Sequence, residues 1–207
     1  MLEDDERPPS PEETLRVIEA QQAAAARHIY IDPLLLYLPW GVAWLIGFTA
    51  LFLHVGLDGR SYAPISQGAA VSLLTAAQLV AGGVAAYGIT RANRQVRGAT
   101  RDRGSMYGWS WFAGIALTAV LDVRLAPLLP PAESQLLWGG SMLTIVTVLY
   151  MVGGAVWSSR QMFSVGVWTA AVNLLGILLG PGWHALLTAV LLGGGFIVAG
   201  LWWRRRS

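Results

Sequence analysis

Six runs of almost uninterrupted apolar residues, at about 34–54, 66–90, 106–126, 136–157, 162–180 and 184–203, take up most of this chain. Each is close to the roughly 20 residues that an α-helix needs to cross a bilayer core. In hydrocarbon such a segment must satisfy its own backbone N–H and C=O groups, which a helix does and a single strand does not. The pattern predicts an all-α fold: a polytopic membrane bundle of about six transmembrane helices, preceded by a cytoplasmic amphipathic helix. Composition agrees, with 55% hydrophobic residues and 13% charged ones, where a soluble domain carries roughly 25% charged. The second, fourth, fifth and sixth runs contain no Asp, Glu or Arg. The third is the least regular, because Asp122 and Arg124 enter its far end and Pro127 follows.

Residues 1–33 read as a cytoplasmic tail and helix, 34–203 as the bundle, and 204–207 as a short basic tail. The first ten residues are acidic and Pro-rich and are expected to be disordered. Ser10, Pro11 and Glu13 then form a helix start: an N-cap, a proline at the first helical position, and a carboxylate that reaches back to the cap. Leu15, Ile18, Ala25 and Ile29 fall near one face of a helix expected to run to about Tyr30. Asp32-Pro33 ends it. The chain does not open with a basic stretch leading into an apolar one, so no cleaved signal peptide is expected.

All fourteen basic residues are arginine, and they lie mostly between the apolar runs. With the N-terminus inside, Arg7, Arg16, Arg27, Arg91, Arg94, Arg97, Arg101, Arg103, Arg160, Arg204, Arg205 and Arg206 are cytoplasmic, against Arg60 and Arg124 outside. This alternation supports an even number of spans in a cell inner (plasma) membrane with both ends cytoplasmic. It is a topology pattern and not a nucleic-acid footprint. The chain has no cysteine, which removes disulfides, thiolate metal sites and cysteine nucleophiles together.

Three helix pairs each enter on aromatic residues and leave through glycines toward arginine. The entries are at Tyr37 to Gly41, Tyr107 to Trp111 and Phe163 to Trp168, and the exits at Gly82-Gly83, Gly153-Gly154 and Gly193 to Gly195. Internal repeats occur in transporters, but interfacial aromatics, small packing residues and flanking arginines recur in any bundle, which is the preferred account.

Asp122 is the first candidate for chemistry, since an ionisable group in a span is costly and usually functional. As a coupling carboxylate it has Arg124 or Arg60 as counter-charge; the competing and preferred placement is the outer headgroup region, where the third helix ends. Gln78 and Asn173 lie near mid-membrane, and with Thr144, Thr147 and Ser110 either line a polar path or bond between helices. The pairs Ala43 with Gly47, Ala81 with Ala85 and Gly195 with Ala199 suit close helix approach, within the chain or in a homo-oligomer. Eight of the ten tryptophans fall in the cytoplasmic half. With Arg91, Arg94 and Arg97, Trp109 and Trp111 are candidate contacts for an anionic lipid headgroup, although the aromatic belt accounts for most of this asymmetry. His54 and His184 map to outer helix ends, and two histidines without a third ligand make a poor metal site. No metal or cofactor is expected. No H-E-x-x-H, G-x-S-x-G, P-loop or dinucleotide fingerprint is present, so no enzyme is predicted.

The stretches Pro11 to Gln21, Tyr37 to Trp44 and Met106 to Trp111 resemble a group of six-span membrane proteins of actinobacterial type, for which at most a loose transporter label is implied. More distantly, the chain is similar to permease subunits of ABC exporters in having an amphipathic helix before six spans. It departs from them in its small size and very short connection between the fifth and sixth spans. Two functions remain open. One is a small transporter or transporter subunit with a path among helices two to five. The other is a membrane anchor or sensor that docks a cytoplasmic protein through residues 11–30. A cavity shared by Gln78, Asp122 and Asn173 favours the first, and an exposed apolar stripe on the N-terminal helix the second.

Overall fold

The computed structural model describes residues 10–17, 32–93 and 98–205. Among these the architecture is all-α, and six helices are long and apolar enough to cross a membrane. We name them α1 (Pro33–Val55), α2 (Gln67–Asn93), α3 (Ala99–Leu125), α4 (Pro131–Val156), α5 (Arg160–Leu179) and α6 (Pro181–Arg204). Residues 11–17 are also helical, and exposed. The start of that helix has the reciprocal cap: Glu13 N–H donates to Ser10 Oγ at 3.2 Å and Ser10 N–H to Glu13 Oε2 at 2.9 Å. The expected continuation to Tyr30 and the disorder expected for residues 1–9 lie outside the described residues, as do Arg94 and Arg97.

Local chemistry sets the helix ends. Asp32 caps α1 by accepting the Leu34 N–H at 2.9 Å, and α1 closes at Gly56, whose φ of 66° returns its N–H to Phe52 O. Ser66 Oγ accepts the Ala69 N–H at the start of α2, and Ser159 Oγ accepts the Met162 N–H at the start of α5. Gly180, with φ 98°, turns the chain into Pro181 and α6. Asp122 and Arg124 do not interrupt α3, which runs unbroken to Leu125 and passes into a single 3-10 turn, Ala126–Leu128, at Pro127. Inside α6 the helix widens over Thr188–Gly193 into a π-helical stretch and then resumes.

The bundle is organised around α1 and α6, which pack along each other's length, with α5 and then α4 beside α6. The outermost helices are α2, packed on α1, and α3, packed on α4. The buried share of the apolar stretch is 17% in α2 and in α3 against 44% in α1, which makes the first two peripheral. Tyr37, Trp44, Phe48, Leu143, Val172, Leu192 and Phe196 belong to the central apolar core. Close approach depends on glycines: a Cβ on Gly41 would lie 2.7 Å from Gly193 O, and one on Gly193 would lie 2.7 Å from the Leu45 nitrogen. Ala43, Ala81 and Ala85 are buried and Gly47 lies against Leu74, so these small residues serve contacts within the chain.

Candidate functional site: a polar row across four helices

Four helices each bring a polar side chain into one row. On α3, Asp122 is 1% exposed, and Ser141 of α4 donates its hydroxyl to Asp122 Oδ2 at 2.6 Å. One turn further along α4, Thr144 Oγ1 donates to Gly140 O at 2.7 Å and accepts from Asn173 Nδ2 of α5 at 3.1 Å. The same Nδ2 donates to Gly140 O at 3.0 Å. Asn173 Oδ1 lies 2.9 Å from His184 Nε2 of α6. An amide oxygen can only accept, so this contact places the proton on Nε2. The row thus runs Asp122, Ser141, Thr144, Asn173, His184: its two ends are buried, Ser141 is half-buried and Thr144 is exposed, and Ser141 and Thr144 are neighbours on one face of α4 without a hydrogen bond between them.

His184 fits because its neighbours lack side chains. A Cβ on Gly139 would come within 2.7 Å of His184 Cε1, and one on Gly176 within 2.9 Å of His184 Cδ2. Phe48 of α1 closes the remaining side, edge-on at 6.2 Å between ring centres. The imidazole therefore stands where α1, α4, α5 and α6 meet. Nearby positions on α4 and α6 carry two buried hydroxyls, Thr147 Oγ1 and Thr188 Oγ1, which have no hydrogen-bond partner. Buried hydroxyls are ordinarily paired.

Toward the end of the bundle that carries Arg160 and Arg204, aromatic side chains form a connected chain. Trp157 meets Tyr107 at 4.6 Å, Tyr107 meets Trp111 at 6.2 Å, and Trp111 meets Tyr150 at 5.7 Å. Tyr150 then meets Phe196 at 6.0 Å, and Phe196 meets Trp44 at 4.8 Å and Tyr37 at 5.7 Å. Tyr107 also donates its hydroxyl to Leu149 O. The polar row is closed from that end by packed rings.

Of the residues singled out from sequence, Asp122 and Asn173 join the row and Gln78 does not. Gln78 is half-buried on the α2 stripe with Leu74, Ala81 and Ala85 that faces α1, and it hydrogen-bonds no described residue. The three therefore share no cavity. Asp122 stands in the last turn of α3, where that helix was expected to end, and its side chain is turned into the α3–α4 contact, where Ser141 supplies a donor. His184 and His54 do not meet, since His54 Nδ1 lies 2.8 Å from Ile65 O in the α1–α2 loop. Trp109 and Trp111 point apart, the first 66% exposed and the second in the aromatic chain. Among the described residues no group of three His, Asp or Glu is placed to hold a metal ion. His184 was undervalued by sequence reasoning, because a histidine three residues after Pro181 looks like a helix end. No local signal marks it, because Gly139 and Gly176, which make room for the ring, lie on α4 and α5.

Comparison with protein-family models, with curated proteins and with solved structures finds no match to this chain.

Proposed function

We propose that this multi-pass membrane protein is a small transporter, or the membrane subunit of one, in which Asp122 and His184 respond to a proton or small cation. The observation that carries this reading is the withdrawal of two ionisable side chains, 1% and 3% exposed, into helices that span a membrane. Such groups are expensive in hydrocarbon and mark ion and proton pathways. The π-helical stretch of α6 that begins at Thr188 adds support, since such stretches are frequent at functional sites. The path in this reading runs among α3, α4, α5 and α6, and the α1–α2 seam with Gln78 is structural. In this reading Thr144, exposed at the middle of the row, is where it is reached, and Asp122 is reached when α3 moves off α4, its one extensive neighbour.

A second reading has support of its own: Leu15, the first residue of the apolar face expected on the N-terminal helix, is 57% exposed on that capped helix, as a residue that docks a cytoplasmic protein would be. One experiment separates the two. The full chain is reconstituted in vesicles that enclose a pH-sensitive dye, and an inward Na⁺ or K⁺ gradient is imposed. Proton movement faster than in empty vesicles, falling at least tenfold in Asp122→Asn and His184→Gln, is the expected result. Rates equal to those of empty vesicles for both cations reject ion coupling and leave docking as the function.

A further inference from the structure

The segment joining α2 to α3 is the most basic part of the chain: Arg91, Arg94, Arg97, Arg101 and Arg103 against Asp102 alone. Arg91, Arg101 and Arg103 are exposed, and none of them pairs with a described residue. On α3, positions 101, 105, 108 and 112 recur at helical spacing and so lie on one face. That face faces away from α4, and it carries a shallow, open depression lined by Ser105, Gly108, Trp109 and Phe112. Gly108 is its floor, since a Cβ there would meet nothing within 4 Å. Its walls are Trp109 and Phe112, 66% and 65% exposed, set edge to face with ring centres 5.6 Å apart. Arg101 stands one turn from Ser105, about 6 Å along the axis, on the side of the arginine cluster.

A guanidinium at the mouth of an apolar groove on a membrane-facing helix has the polarity of a phospholipid: phosphate at one end, acyl chain at the other. Arg binds phosphate through paired, charge-assisted hydrogen bonds, and tryptophan prefers the depth where headgroup meets chain. We propose that this face of α3 is a binding site for an anionic phospholipid. Arg101 holds the phosphate, and one acyl chain lies over Gly108 between Trp109 and Phe112. Arg91 and Arg103 add to the positive field that draws an anionic headgroup over a zwitterionic one, and Asp102 opposes it. Trp111 takes no part, since it packs inward. The site is independent of the transport reading.

The absence of cysteine allows a direct test. Ser105→Cys is labelled with a small fluorophore and the full chain reconstituted in phosphatidylcholine vesicles. These carry, at equal mole fraction, phosphatidylglycerol or phosphatidylcholine brominated on the acyl chains. The expected result is quenching that reflects a roughly fivefold preference for the brominated phosphatidylglycerol. The preference falls to parity in Arg101→Gln and is absent at a control label on Val80→Cys, an exposed position of α2. Gly108→Leu, which fills open space and so leaves the fold intact, lowers quenching by both lipids. Parity at Ser105→Cys overturns the proposal, as does an equal preference at the α2 control or one that survives Arg101→Gln. Loss of the preference on adding millimolar inorganic phosphate assigns the arginine to a free anion and overturns it as well.

Discussion

Asn173 is the side chain through which three helices of the polar row hold together. Its amide donates twice toward α4 and accepts from His184, so one residue links three helices. Asn173→Ala leaves His184 Nε2–H and Gly140 O without that partner. The expected cost is about 1–2 kcal/mol of bundle stability, read from the midpoint of SDS-induced unfolding in detergent. Asn173→Gln, one methylene longer in a packed site, recovers less than half of that loss. Asn173 was visible in the sequence as a polar residue in an apolar run, but its partners were not. The pairing with Gly140 and His184 depends on how far α4 and α6 slide against α5, a register that no local pattern records. Asp122 makes the same point: its position at the end of an apolar run suggested solvent, and only the facing Ser141 shows why it turns inward.

At the scale of elements, the helices pack where backbone meets backbone. The α1–α6 contact passes through Gly41 and Gly193, whose Cα atoms lie against the opposite main chain. Gly193→Ala forces these helices apart and is expected to cost about 1–3 kcal/mol. Gly83→Ala, with nothing within 4 Å of the added carbon, is expected to be neutral or to stabilise by up to about 1 kcal/mol through helix propensity. The same SDS titration checks both, and equal effects would show that the α1–α6 contact is looser than described. Helix existence and approximate bounds were legible, because run length, the Ser10 to Glu13 start and the Asp32-Pro33 break are local signals. Which face of each helix meets a neighbour was not: a helix apolar all round carries no amphipathic stripe to point it inward. That is why Trp109 and Trp111, two residues apart, looked equivalent in the sequence and differ in the fold.

For the whole molecule, six spans place the α1–α2 loop and the α4–α5 turn on opposite ends of the bundle. The arginine distribution predicts that the second of these is cytoplasmic. Single cysteines at Ser61 and at Ser158, treated with an impermeant thiol reagent, are expected to label from outside in intact cells and only in inverted vesicles, respectively. The reverse pattern would invert the orientation. By itself the sequence determined the solvent, the number of spans, the all-α class and several helix ends, because a bilayer core imposes a minimum apolar length and forbids unpaired backbone. Tertiary structure alone decided that Asp122 and His184 belong to one polar row and Gln78 does not, and that aromatic rings close that row on one side. These facts depend on contacts between helices far apart in the chain, where the fit of glycine against ring and donor against acceptor selects one register among many of similar hydrophobicity.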